Sequence, residues 1–225
     1  HAQFTGIGID PSCARTDYSM AARIECLARA LRQQRQHQFS LERESSVMNA
    51  SSFKAEFGPV ALVTGASSGI GRSFAERLAA MGMDLVLVAR RVERLEQLAA
   101  RLEDTCAVRA KVCQVDLSHA TAARQILDAT ASLDIGLVVS NAGFGLKGEH
   151  ANNDPRAMTD MLMVNCNTPM LLAHGFIPRL RQRGRGGIIF TSSVEALIGC
   201  PFSTAYSASK AFVNNLGEGL WGELA

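Results

Sequence analysis

The chain has 225 residues, 47% hydrophobic and 20% charged, with a formal net charge of +2 at pH 7. That length accommodates one α/β domain with a sizeable core, and the nearly balanced charge argues against a nucleic-acid or membrane-surface partner. Because no apolar run approaches the length needed to cross a bilayer, the sequence predicts a soluble protein without a membrane span.

The six cysteines form no Cys-x-x-Cys pair, and no histidine lies at zinc-finger spacing from them. Free thiols in a reducing compartment are therefore the favoured interpretation. We expect a cytoplasmic protein without a metal site.

Residues 1–52 combine weak hydrophobic periodicity with many arginine, glutamine and serine side chains. They also lack the sustained apolar stretch of a signal peptide. We expect a poorly ordered N-terminal extension here, with a separate functional module as the less favoured alternative. The folded domain is accordingly predicted over residues 53–225.

Short apolar runs and helical patterns alternate from residue 59 onwards. Four buried strands are predicted, at residues 60–63, 85–88, 135–139 and 187–191. Apolar and charged residues alternate over 108–112, which is typical of a strand at a sheet edge.

Apolar residues at helical spacing separate these strands. The first helix should end near Gly82, the second carries Val92 to Leu102, and Ser118 is placed to cap the third. Further helices are predicted over 154–164, over 166–182 and from about Thr204 to the chain end.

This alternation of buried strands and helices is typical of a parallel sheet covered on both faces. The sequence predicts a single-domain α/β fold, a Rossmann-type doubly wound parallel sheet with strand order 3-2-1-4-5. The usual fold adds a sixth strand, whereas the chain stops inside the last helix. We therefore expect a domain that is incomplete at its C-terminus and lacks part of a substrate pocket.

A glycine-rich segment, residues 64–71, joins the first strand to the first helix. Glycines allow a tight turn and a close approach to a pyrophosphate, and the helix N-terminus offers N–H groups to phosphate oxygens. A merely structural turn is the alternative. The predicted phosphate-binding residues are Gly65, Ser67, Ser68, Gly69, Ile70 and Gly71.

The end of the second strand bears on the choice between NADP and NAD. An NAD site usually places a carboxylate there, whereas this chain has Arg90 and Arg91. Two guanidinium groups favour a 2′-phosphate, so NADP is the predicted cofactor and NAD remains possible. Asp116 follows the third strand and could bind an adenine amino group or cap a helix.

Tyr206 and Lys210 lie four residues apart on a predicted helix and therefore share a face. A free tyrosine has a pKa near ~10, and a neighbouring ammonium lowers that pKa by favouring the phenolate. Ser193 follows the fifth strand, where its hydroxyl could polarise a substrate carbonyl. This order of groups predicts a proton-transfer site.

Over about residues 58–225 the chain resembles the short-chain dehydrogenase/reductase family, in its compact single-domain branch. The matching motifs are Thr-Gly-x-x-x-Gly-x-Gly at 64–71, Asn-Ala-Gly at 141–143, Val-Asn at 164–165, Thr-Ser-Ser at 191–193 and Tyr-Ser-Ala-Ser-Lys at 206–210.

The resemblance implies a catalytic tetrad of Asn165, Ser193, Tyr206 and Lys210. Tyr206 would be the general acid in reduction, Ser193 would hold the carbonyl oxygen, and Lys210 would also bind the nicotinamide ribose. Asn165 would orient a water that relays protons to Lys210. The residues implied to line the cofactor and to steady the central sheet are Asn141, Ala142 and Gly143.

Three positions depart from the family pattern, and none removes a catalytic group. Ser140 replaces the first asparagine of an Asn-Asn-Ala-Gly motif, and Thr168 stands where glycine is frequent. Glu195 begins the pair that replaces two small residues after the serines. Its side chain could shape the pocket, although a solvent-facing position is favoured.

The sequence thus predicts an NADP(H)-preferring oxidoreductase that interconverts the carbonyl and alcohol forms of a small-molecule substrate of open identity. A cofactor-binding but catalytically silent truncated fragment is the alternative. A sugar-nucleotide epimerase of the family's longer branch is disfavoured, because that branch spaces its glycines differently. The resemblance also implies a homo-oligomer of the full-length protein, formed through the helices that bear Asn165 and Tyr206.

Overall fold

The computed structural model describes residues 49–224, so most of the expected N-terminal extension lies outside the described residues. A helix that the sequence did not predict, α1 (Ala50–Phe57), begins before the expected domain boundary at residue 53. The side chain of Asn49 caps it by accepting a 2.9 Å hydrogen bond from the N–H of Ser52.

Five parallel strands form one sheet in the order β3-β2-β1-β4-β5, which confirms the predicted strand order. The edge position predicted for the third strand is also confirmed. The strands are β1 (Val60–Thr64), β2 (Asp84–Ala89), β3 (Ala110–Gln114), β4 (Ile135–Ser140) and β5 (Gly187–Phe190).

Helices follow the strands as the alternating pattern predicted. They are α2 (Gly69–Ala80), α3 (Val92–Cys106), α4 (Ala122–Ala129), α5 (Pro155–Leu162), α6 (Thr168–Arg183) and α7 (Thr204–Leu224). A π-helical segment, Met163–Asn167, joins α5 to α6. Gly82 has a φ of +78°, a left-handed backbone that suits its predicted role as a helix stop.

Buried side chains form a separate core on each face of the sheet. Leu87 belongs to one core together with Leu95 of α3. Its neighbour Val86 belongs to the other core, with Ile126 of α4 and Phe176 of α6. Successive residues of a strand point to opposite faces, so strands buried on both sides read as continuous apolar runs.

The capping role predicted for Ser118 is wrong. Helix α4 begins only at Ala122, after Thr121, and its N-terminus has no side-chain cap. The Ser118 hydroxyl instead donates to Asp116 Oδ1 at 2.9 Å within the turn that follows β3.

The described residues up to Asn214 form one folded unit, and residues 215–224 are the last part of α7. Among the helices of residues 49–224, none combines the length and the apolar character needed to cross a membrane.

Candidate functional site

A cleft of about 510 Å³ lies at the carboxyl ends of the strands, where ligands bind in doubly wound sheets. Most of the predicted site residues meet there. Those that line the cleft are Gly65, Ser67, Ser68, Gly69, Ile70, Arg90, Arg91, Asn141, Ala142, Gly143, Tyr206 and Lys210. The predicted residues Gly71, Asp116, Asn165 and Ser193 are not part of this lining.

The glycine loop depends on positions without a side chain. Gly65 and Gly69 have φ values of +70° and +56°. A Cβ at Gly65 would lie 3.0 Å from the Cα of Ala142, and a Cβ at Gly71 would lie 2.4 Å from the carbonyl oxygen of Gly65. Gly71 therefore allows α2 to pack against the loop rather than lining the cleft itself.

Two arginines follow the end of β2. Arg91 Nη2 donates to the hydroxyls of Ser67 and Ser68 at 3.0 and 2.8 Å. The backbone carbonyl of Arg90 accepts from Gln114 of β3 at 3.1 Å. These contacts hold positive charge beside the glycine loop, an arrangement that fits a phosphate group.

Asp116 contacts its own turn. Its Oδ1 accepts from the backbone N–H and the hydroxyl of Ser118 at 3.0 and 2.9 Å. This oxygen therefore closes the turn after β3 and does not cap α4, which begins only at Ala122. Partial burial raises the pKa of Asp116, but the Ser118 hydrogen bonds and the charge of Arg90 outweigh it and lower the pKa overall. A contact from Asp116 to adenine stays a prediction.

Hydrogen bonds around Asn141 join the ends of three strands. Thr64 Oγ1 accepts from the N–H groups of Asn141 and Ala142 at 2.9 and 3.0 Å. The Asn141 side chain donates to the Thr64 carbonyl at 3.2 Å and accepts from Thr191 Oγ1 at 3.2 Å. Thr64 and Thr191 lie inside the quoted motifs, yet the motifs alone do not indicate this role for either of them.

Lys210 is only 4% exposed at the floor of the cleft. Its Nζ donates to the Thr191 carbonyl at 2.8 Å and lies 5.9 Å from the centre of the Tyr206 ring. Burial lowers the pKa of Lys210, against a smaller opposite influence of Cys166. A Cβ at Gly143 would come within 3.1 Å of Nζ, so this glycine leaves room for the ammonium group.

Asn165 lies in the π-helical segment and is 1% exposed. Its Nδ2 donates to the Phe144 carbonyl at 2.9 Å and to the Ser209 hydroxyl at 3.0 Å, while Oδ1 accepts from the Phe144 N–H at 3.1 Å. Asn165 thus ties the loop after β4 to α7. Single π-helical turns inside helices are frequent at functional sites.

Ser193 stands beside the cleft, and its neighbour Ser192 lines it instead. Ser193 Oγ accepts from the backbone N–H of Glu195 at 3.2 Å, at the start of the short turn Val194–Ala196. The catalytic role of Ser193 stays a prediction.

Glu195 is partly exposed to solvent and does not line the cleft. Its carboxylate is 25% exposed and pairs with Lys147 at 3.0 Å, and the Ser203 hydroxyl donates to the same carboxylate at 2.6 Å. The sequence did not predict this cluster because its members come from two segments that lie far apart in the chain and match no motif.

Comparisons with known proteins agree with this architecture. The family model described as short chain dehydrogenase matches residues 59–225. A 7β-hydroxysteroid dehydrogenase of Clostridium sardiniense is 34% identical over 173 residues, which cover 77% of this chain and 66% of that protein. The chain spans between 53% and 66% of the length of this relative and of three further hydroxysteroid dehydrogenases and acyl-CoA reductases that it matches.

Two solved structures are similar. The bulky-bulky ketone specific alcohol dehydrogenase from Comamonas testosteroni shows 37% identity and a TM-score of 0.72, over 74% of this chain and 68% of its own. A short-chain dehydrogenase from Sphingobium yanoikuyae in complex with NADPH shows 37% identity and a TM-score of 0.71, over 74% and 66% of the two chains.

Proposed function

The chain belongs to the short-chain dehydrogenase family, and from this premise we propose that it interconverts a carbonyl and its alcohol with NADP(H) as cofactor. The observation that carries the proposal is the buried Lys210 beside the Tyr206 ring, at the floor of a cleft that the glycine loop borders. The residue that we propose as proton donor and the turn that we propose for phosphate binding thus border one cleft.

The residues at the mouth of this cleft suit a dinucleotide phosphate. Gly65 and Gly69 provide the cradle, since the left-handed turn and the absence of Cβ atoms let a diphosphate approach the backbone. Arg90 and Arg91 are the groups we assign to a 2′-phosphate, and the NADPH complex of the Sphingobium relative supports that preference. When bound, the nicotinamide would supply or accept the hydride.

Tyr206 would donate a proton to the carbonyl oxygen during reduction and accept it during oxidation. The ammonium of Lys210, 5.9 Å from the centre of the Tyr206 ring, would attract the negative charge that forms on the phenol oxygen as the proton leaves. The Ser193 hydroxyl would polarise the carbonyl. We propose that Asn165 orients a water that returns protons to Lys210.

The substrate we propose is a bulky apolar ketone or alcohol. The loop after β5 carries the four exposed apolar side chains Val194, Leu197, Ile198 and Phe202, which are 63 to 82% exposed. Several exposed apolar side chains within one short loop favour a binding surface. The names of the hydroxysteroid and bulky-ketone relatives support the same class.

The test is NADPH oxidation by the purified chain with acetophenone, benzil and a 7-keto steroid as probes. We expect turnover of at least one ketone, and we expect Tyr206→Phe to lower kcat by about 100-fold or more, since general acid catalysis contributes about 10²–10⁴-fold. The NADPH dissociation constant should stay unchanged in this variant. Thr105→Val, which removes an exposed hydroxyl on α3, is the matched control and should keep full activity. NADPH binding without turnover of any probe would favour the silent alternative.

A further inference from the structure

A cluster of three polar side chains joins the loop after β4 to the loop after β5, and each of these loops also carries residues that line the cleft. Lys147, in the loop after β4, donates from Nζ to Glu195 Oε1 and to Ser203 Oγ, each at 3.0 Å. Ser203 Oγ in turn donates to Glu195 Oε2 at 2.6 Å. Nearby, the N–H of Gly148 donates to the carbonyl of Phe202 at 2.8 Å.

The cluster extends from a buried hydroxyl to an exposed ammonium group, since the Lys147 side chain is 68% exposed. Ser203 is 4% exposed, and the Glu195 side chain is 25% exposed. The hydrogen bond from Ser203 and then that from Lys147 lower the pKa of Glu195, so its carboxylate is charged at neutral pH. Both carboxylate oxygens are engaged, which fixes the direction of the side chain.

The backbone of this loop needs such an anchor. Phe202 has a φ of +60°, a left-handed conformation that a phenylalanine rarely adopts and that surrounding contacts must hold. Its carbonyl is held by Gly148, and the next residue, Ser203, belongs to the cluster. The loop after β5 is therefore attached to the loop after β4 at consecutive positions.

Glu195 also touches the serine that the reaction needs. Its backbone N–H donates to Ser193 Oγ at 3.2 Å. A serine hydroxyl has one donor and two acceptor positions, so accepting this bond leaves its hydrogen available for a substrate oxygen. Fixing Glu195 thus directs the Ser193 hydroxyl.

We propose that Lys147, Glu195 and Ser203 form a clasp that holds the loop after β5 and thereby positions the Ser193 hydroxyl for the carbonyl. Glu195 is a positioning residue in this scheme, because it acts through Ser193 and not on the substrate. The inference rests on the proposed function, since Ser193 matters only if a carbonyl is bound beside it.

The test compares Glu195→Gln, Lys147→Met and Lys147→Arg with the wild type in ketone reduction and in NADPH binding. Misplacing a reacting group by about 1 Å costs up to about 100-fold in rate, so we expect kcat to fall about 10- to 100-fold in Glu195→Gln and Lys147→Met. The NADPH dissociation constant should not change. Lys147→Arg keeps the ion pair and should retain most of the activity.

Amide hydrogen exchange gives a readout that needs no turnover. Glu195→Gln should speed exchange over residues 194–203. Asp128→Asn is the matched control because it breaks an exposed ion pair with Arg124 on α4, far along the chain from the clasp. It should change neither exchange in this loop nor kcat.

The outcomes separate the two proposals. Wild-type turnover with an unchanged kcat in Glu195→Gln would overturn the clasp and leave the reaction standing. A loss of kcat together with weaker NADPH binding would also overturn it, since the defect would then be general. If the wild type reduced no ketone, the proposed function would fail. Amide hydrogen exchange would then still test the clasp, and unchanged exchange over residues 194–203 in Glu195→Gln would overturn it.

Discussion

The ammonium of Lys210 is buried against a neutral acceptor, the carbonyl of Thr191 at 2.8 Å. Because burial disfavours the charged form, the pKa of Lys210 in the folded chain lies below its ordinary value of 10.5. Between these two pKa values the unfolded chain binds more protons than the folded one. The free energy of unfolding therefore rises with pH across that window.

Replacing Lys210 by methionine should remove this dependence. Below the folded-state pKa, the wild type bears the full cost of a buried charge, and that cost falls as pH rises from the folded-state pKa to the ordinary value of 10.5. Urea unfolding between pH 7 and 10 should show the wild type gaining stability relative to Lys210→Met. Lys111→Met, which removes an exposed lysine bonded to the Ala129 carbonyl, is the control. Parallel curves for wild type and Lys210→Met would contradict the lowered pKa.

Arg91 lies where we expect the 2′-phosphate of NADPH to bind. It donates to Ser67 and Ser68 and lines the cleft beside the glycine loop. A hydrogen bond to a charged group contributes about 1.5–3 kcal/mol, so Arg91→Ala should weaken NADPH binding by about 10- to 100-fold. NADH binding should change little, because NADH lacks the 2′-phosphate.

Arg94→Ala is the matched control for Arg91→Ala, since Arg94 is an exposed arginine one turn further along α3. Fluorescence titration with both cofactors measures the effect. Equal losses for NADPH and NADH in Arg91→Ala would show that Arg91 does not read the 2′-phosphate.

At the level of elements, α1 rests on a glycine of the central sheet. A Cβ at Gly136 of β4 would lie 2.5 Å from the Phe57 carbonyl and 2.7 Å from that of Gly58. These neighbours are backbone atoms, so they cannot turn aside as a flexible side chain would. Gly136→Ala should lower the free energy of unfolding by about 1–3 kcal/mol, the usual cost of overpacking.

Urea unfolding tests this contact between α1 and β4. Gly199→Ala is the control, because a Cβ at Gly199 meets no atom within 4 Å. It should unfold like the wild type. If Gly136→Ala were equally stable, α1 would not rest on the sheet as the structure has it.

The helices and strands that the sequence predicted can each be recognised from the pattern of apolar residues within the element itself. Strands β1, β2 and β4 are almost entirely buried, so each reads as an apolar run that needs no partner to be recognised. Helix α1 buries no residue fully, and its Phe53 and Phe57 only pack at the margin of the core. Its amphipathic pattern is correspondingly weak, which explains why the sequence did not predict it.

The candidate site divides in the same way. The glycine loop, the Asn-Ala-Gly segment and the Tyr206–Lys210 pair are local motifs, and the sequence predicted that they meet. The clasp joins residues as much as 56 positions apart, and its charged side chains resemble solvent-facing ones. Such residues come together only because the parallel strands before them end side by side. A pattern of neighbouring residues in the sequence does not predict this contact.

For the molecule as a whole, the parallel sheet explains why distant segments serve one site. Strands β1, β4 and β5 are adjacent and parallel, so their carboxyl ends lie side by side. The residues that follow these strands are therefore neighbours in space, although they are far apart in the sequence. The Thr64 and Asn141 hydrogen bonds lock these three ends together. The carboxyl ends of the strands therefore form the cleft. The outer faces of the helices do not contribute to it.

The helices on either side of Asn165 and the helix bearing Tyr206 expose apolar side chains. Leu162 of α5 is 45% exposed, Met170 of α6 is 38% exposed, and Phe212 of α7 is 39% exposed. Single exposed apolar residues are ordinary, but each of the three helices that the family resemblance assigns to subunit contacts carries one, which favours an interface. We therefore expect a homodimer formed through these helices.

Light scattering and sedimentation velocity measure this association. Met170→Glu combined with Phe212→Glu should yield a monomer, because an isologous interface places each new charge in both subunits and buries it there. Val194→Glu is the control: Val194 is 82% exposed, yet it belongs to the loop beside the cleft and should leave the dimer intact. A wild-type monomer at micromolar concentration would contradict the dimer. A dimer lost only in Val194→Glu would place the association surface on the loop after β5 instead of on the helices.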